Sequence, residues 1–129
     1  MTPAFRRAWR GATWFVTLLI VVLSLVPQEL TLQDAGSDKL HHAVAYFTLM
    51  LMAAGLAETR SLWRIAAGCL LLGAVLELLQ GALTVDRTAD WHDLAANAVG
   101  IGAACLLLMQ LGGAWAQHVA GWLARRQKP

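Results

Sequence analysis

The chain has 129 residues, room for one domain at most. Hydrophobic residues make up 58% and charged ones only 14%, with a formal net charge of +2 and a mean hydropathy of +0.56. Soluble domains carry roughly a quarter charged residues, so this composition excludes an ordinary soluble protein, and no nucleic-acid partner is expected.

Arg6, Arg7 and Arg10 lead into an uncharged apolar run over 11–26 that stops at Pro27. A cleaved signal peptide would share that basic start. The run is long for such a peptide and no A-x-A site follows it, so a retained helix over about 11–27 is expected. A second apolar segment, about 39–57, contains His41, His42 and Tyr46. The third, about 63–83, contains Glu77 and Gln80, and the fourth, about 92–111, contains Asn97. The apolar part of each holds roughly 16–19 residues, about 24–29 Å as helix against a hydrocarbon core of about 30 Å. Only helices or closed barrels satisfy the backbone in lipid, and the alternation that a barrel needs is missing. The expected fold is an all-α integral membrane four-helix bundle forming a single domain over 1–129.

The tail, 112–129, begins with two glycines and then spaces Trp115, Val119, Trp122 and Leu123 as a helix would, before a basic end. It reads either as an interfacial helix drawn to anionic lipids or as the frayed end of the fourth helix. His118 receives no role. Cys69 and Cys105 lie in apolar runs and read as packing residues rather than a disulfide or metal pair.

Eight of the ten basic residues flank one set of helix ends: Arg6, Arg7, Arg10, Arg60, Arg64, Arg125, Arg126 and Lys128. Only Lys39 and Arg87 fall on the other side. By the positive-inside rule both termini are cytoplasmic, and a bacterial inner-membrane location is expected. Trp9, Trp63 and Trp91 fall where interfacial aromatics belong.

Orientation gathers the polar residues of the apolar segments. Asp38, His42 and Tyr46 are spaced i, i+4, i+8 on the second helix. Glu77 and Gln80 share a face of the third, and Asp93 and Asn97 share a face of the fourth. With Lys39 and Arg87, all fall in one slab near the outer face. Ionisable residues inside a membrane are costly and mark functional sites. On the fourth helix Ala96, Gly100 and Ala104 form a small-residue row that admits a neighbouring backbone.

Glu77 is the deepest carboxylate. His42 can exchange a proton near neutral pH, with Asp38 orienting its ring. Gln80 and Asn97 suit a carbonyl, hydroxyl or amide, and Arg87 a phosphate or carboxylate. No nucleophile stands beside a base and no HExxH or CxxC spacing occurs, so no metal and no cofactor is expected. A purely structural alternative reads Asp38 and Lys39 as solvated helix-start residues, Tyr46 as an interfacial aromatic and Asn97 as a helix–helix hydrogen bond. Asp90 and His92 read as loop or cap residues. Spacing alone does not decide whether His41 or His42 faces the bundle.

The ordered set Asp38-Lys39-x-x-His42-x-x-x-Tyr46, Glu77-x-x-Gln80, then Arg87, Asp93, Asn97 and Gly100 resembles the VanZ-like family of small bacterial membrane proteins. The resemblance covers about 38–102. The family often places an aromatic and a proline before its arginine, where this chain has Thr84, Val85 and Asp86. The resemblance implies a cell-envelope context and a link to antibiotic resistance, namely tolerance of the glycopeptide teicoplanin, without a mechanism. The leading function is recognition of a lipid-linked or cell-wall component, or a glycopeptide-related ligand, among membrane lipids at the outer leaflet. An enzyme acting on such a component by acid–base catalysis is the alternative. A proton-coupled transporter is third, and would call for an oligomer.

Overall fold

A computed structural model of the protein describes residues 2–26, 35–83 and 90–126, and these are helical with short connections. The order is α1 (Pro3–Leu25), α2 (Ala35–Ala54), a single 3-10 turn (Thr59–Ser61), α3 (Leu62–Leu83), α4 (Trp91–Gln110) and α5 (Trp115–Arg126).

Helix α1 starts eight residues earlier than its apolar run. The Thr2 hydroxyl caps it, accepting from the Phe5 N–H at 3.2 Å, and Pro3 occupies the first turn where its missing N–H costs nothing. The arginine-rich lead is therefore part of the helix. Helices α1, α3 (with the 3-10 turn) and α4 are long and apolar enough to cross a membrane. Helix α2 has the length, at 20 residues, but Asp38, Lys39, His41 and His42 all sit in its first two turns.

Helix α2 packs on α1, α3 and α4, and its seam with α4 is the most extensive. That seam is close because Gly100 has no side chain: a Cβ there would run into the Ala43 carbonyl oxygen of α2. Ala104 is fully buried one turn on, while Ala96 is half-buried. On α3, Gly73 makes similar room, since a Cβ would stand 2.9 Å from Asn97 Nδ2 and 3.2 Å from Tyr46 Oη. Tyr46, Leu49, Met50, Leu76, Ile101 and Leu108 form the centre of the core. Cys69 and Cys105 are free thiols in or beside it.

One pole gathers the start of α1, the end of α2 and the start of α5. The last carbonyls of α2 have no partner within the helix, and indoles supply one. Trp9 Nε1 donates to the Met52 carbonyl at 2.9 Å, and Trp115 Nε1 to that of Leu51 at 3.0 Å. The two rings meet edge to face, 5.1 Å between centroids. Gly112 and Gly113 take φ of +77° and +75°, which ends α4 and turns the chain. Ala114 N–H then donates to the Ala57 carbonyl at 2.7 Å, and Ala116 N–H to that of Gly55 at 3.0 Å. The tail is thus a separate docked helix, not a frayed extension of α4. Trp9 is half-buried and hydrogen-bonded, whereas Trp63 and Trp91 are exposed.

Candidate functional site

The opposite pole holds the polar residues. Asp38, His42 and Tyr46 run down one face of α2, Glu77 and Gln80 come from α3, and Asp93 and Asn97 from the first two turns of α4. Asp90 caps α4 by accepting from the His92 N–H at 2.9 Å. Asp93 is only 9% exposed, Glu77 6%, Gln80 3% and Asn97 1%. Such groups are stable when buried only if they find partners, and no fully buried side-chain nitrogen or oxygen among the described residues lacks one.

These groups form a circuit of hydrogen bonds and longer polar contacts over three helices. Lys39 Nζ lies 3.2 Å from Asp93 Oδ1 and 3.4 Å from Asp90 Oδ2. Asp93 Oδ2 faces His42 Nε2 at 3.9 Å, and His42 Nδ1 is 3.9 Å from Glu77 Oε1. The Asp90 backbone N–H donates to Glu77 Oε2 at 3.3 Å, which returns the circuit to Lys39. Asn97 Oδ1 sits inside this ring, 3.0 Å from His42 Nδ1. The question between the two histidines is resolved: His42 faces the interior and His41 is exposed.

Gln80 turns the other way, toward α1, where its Nε2 donates to the Ser24 carbonyl at 2.5 Å. Between α1, α2 and α3 lies a cavity of about 300 Å³. Ile20, Leu23, Val44 and Ala45 give it apolar walls, while Ser24, Asp38, His41, His42, Tyr46 and Gln80 give it a polar end. His42 borders both the cavity and the circuit.

Asp90 is held well below its ordinary value of 3.8, at about 2. The His92 backbone N–H contributes most, then the His92 ring at 2.7 Å and Lys39. Among the described residues, Asp38, His42 and Asp93 each offer a donor atom within 4.8 Å of the other two, a spacing a metal ion could bridge. Local sequence motifs do not reveal this grouping, because it spans two helices.

The structure therefore brings together Asp38, Lys39, His42, Tyr46, Glu77, Gln80, Asp93 and Asn97. Arg87 lies outside the described residues. Sequence reasoning missed three contributors. Ser24 acts through a backbone carbonyl, which no side-chain pattern signals. Gly73 makes the space for Asn97 and Tyr46. Asp90 is a cap, as expected, but it also binds Lys39 and Glu77; its carboxylate three residues before Asp93 was the available hint. No family model, curated protein or solved structure matches the chain.

Proposed function

We propose that this chain is a VanZ-like integral membrane protein of the bacterial cell envelope that recognises a lipid-linked or cell-wall component at the outer leaflet. In this reading α2 crosses the membrane with α1, α3 and α4 as a four-helix bundle. The basic pole and both termini face the cytoplasm, and the His42 circuit lies toward the outer surface. Support for the orientation comes from Arg6, Arg7, Arg10, Arg60, Arg64, Arg125 and Arg126 flanking the indole-capped pole. The family assignment rests on the motif set alone, as does the link to glycopeptide tolerance.

One observation carries the functional reading: the cavity is amphipathic in the way a lipid is. Its walls accept a hydrocarbon segment, and its polar end offers Gln80, Tyr46 and His42 to a head group. The experiment is photo-crosslinking in nanodiscs with a photoreactive phospholipid and a photoreactive lipid-linked wall precursor. Saturable labelling that falls on filling the cavity with Ala45→Phe, and on His42→Ala, supports it. Equal labelling of wild type and both variants overturns it. A cysteine replacing Arg87 should react with an impermeant maleimide added outside cells; reaction only after lysis would invert the orientation.

The second reading, an enzyme, is favoured by one geometry. His42 contacts both a buried carboxylate and an amide while bordering the cavity, as a general acid–base residue would. Conversion of the bound lipid that disappears in both His42→Ala and Glu77→Gln would establish it. Binding without product keeps the accessory role.

A further inference from the structure

We infer that Asp38, His42 and Asp93 form a binding site for a first-row divalent metal ion, of the Zn²⁺ or Mn²⁺ type, with an open coordination position toward the cavity. This inference concerns metal alone and stands whether or not a lipid occupies the cavity.

The hydrogen bonding of His42 is the first argument. Asn97 Oδ1, 3.0 Å away, can only accept, so Nδ1 carries the proton when the ring is neutral. The lone pair of Nε2 then points away from Asn97, and Asp93 Oδ2 lies 3.9 Å from that nitrogen. In that neutral form two acceptors face each other there, too far apart for a hydrogen bond and placed to share a cation. Metal–ligand distances of about 2.0–2.2 Å place the ligand atoms of a tetrahedral site about 3.3–3.6 Å apart. The His42–Asp93 pair at 3.9 Å must close by about half an ångström, and the widest pair, within 4.8 Å, by up to about 1.5 Å, through side-chain rotation.

The surrounding shell has the form that metal ligands need. A ligating histidine donates its other ring N–H to a fixed acceptor, and a ligating carboxylate is hydrogen-bonded on its second oxygen. Asn97 fills the first role for His42, and Lys39 fills the second at Asp93 Oδ1, 3.2 Å away. Asp38 and His42 are one turn apart on α2, and the Gly100 contact holds α4 close enough to present Asp93 to both.

Charge is compatible with a cation here: Glu77 and Asp93 are buried carboxylates beside His42, and buried carboxylates are stable when cations accompany them. One imidazole with two carboxylates is a mixed nitrogen–oxygen donor set, whose imidazole favours a first-row transition ion such as Zn²⁺ over Ca²⁺ and Mg²⁺. Three protein donors leave a fourth position free. Because Asp38 and His42 also line the cavity, that position can take an anionic oxygen, such as a phosphate or carboxylate, from a molecule bound there.

The test uses the full chain in detergent, stripped with chelator and titrated with Zn²⁺, Mn²⁺ or Mg²⁺. About one Zn²⁺ per chain should bind, with a raised melting temperature, and Mg²⁺ should not compete at equal concentration. His42→Ala and Asp93→Asn should each weaken Zn²⁺ at least about tenfold, and Asn97→Ala by about 10–100-fold. His92→Ala and His118→Ala should leave it unchanged. Wild-type protein loaded with Cu²⁺ should show electron spin resonance coupling to a single imidazole nitrogen, which requires no variant to fold. Failure of wild type to bind Zn²⁺ overturns the inference. So does equal binding by the His42 and Asp93 variants, loss of binding in His92→Ala, or a Cu²⁺ spectrum without nitrogen.

Discussion

The two poles solve the same problem in different ways. Both contain polar groups where apolar helices end. At the indole pole each donor meets a backbone carbonyl: Trp9 with Met52, Trp115 with Leu51, Ala114 with Ala57. These partners cannot ionise or rotate away, so the bonds do one thing and hold the termini of α1 and α5 on α2. At the carboxylate pole His42 stands among the side chains of Asn97, Glu77 and Asp93, with two of those contacts at 3.9 Å. Contacts that long are loose for a structural bond. The contrast teaches that one pole is built for stability and the other keeps partners in reserve.

The largest effect should come from removing an indole. Trp9→Ala is expected to cost about 2–3 kcal/mol, below the usual range for a fully buried tryptophan because the ring is half-buried. It should leave lipid crosslinking and Zn²⁺ binding per folded molecule unchanged, as read by thermal melting beside a ligand titration. A change in ligand affinity would mean that the poles are coupled. Gly73→Ala comes next, at about 1–3 kcal/mol, since its Cβ must displace Asn97 and Tyr46. Because both residues belong to the carboxylate pole, this variant should lose ligand affinity as well as stability.

Trp9→Phe sharpens the comparison by keeping an aromatic ring, though a smaller one, and deleting the donor. About 1 kcal/mol should be lost, the net value of one hydrogen bond. Asp90 yields the smallest effect and one that depends on pH. Its folded value of about 2 is depressed below the ordinary 3.8, so its stabilisation is present above about 4 and lost as pH falls through about 2. The melting-temperature gap between wild type and Asp90→Ala should therefore shrink as pH falls from about 4 toward 2. A gap that persists unchanged at pH 1.5 would show that the carboxylate charge is not what holds the cap.

Much of this was legible in the residues. The apolar runs marked α1, α3 and α4, the paired glycines marked the break before α5, and four-residue spacing placed Asp38, His42 and Tyr46 on one face. Which histidine faces inward was not decided by the sequence, although the family pattern and the four-residue spacing to Tyr46 favoured His42. The indole bonds were not legible, because a donor aimed at a backbone carbonyl 43 or 64 residues away leaves no pattern in side chains. The start of α1 was misplaced because hydropathy marks lipid contact, whereas the helix follows its cap at Thr2. The grouping of Asp38 and His42 with Asp93 was missed because metal motifs are sought along one segment.

The contact between Gly100 and Ala43 has one more consequence. Side chains that separate helices yield a little under load, but a backbone seated against a backbone has almost no travel left. Gly100 lies three residues beyond Asn97, and Ala43 directly follows His42. The 3.0 Å contact between those two side chains is therefore anchored by backbone on both helices. His42 is held in one orientation before anything binds beside it, so little would be spent on ordering it.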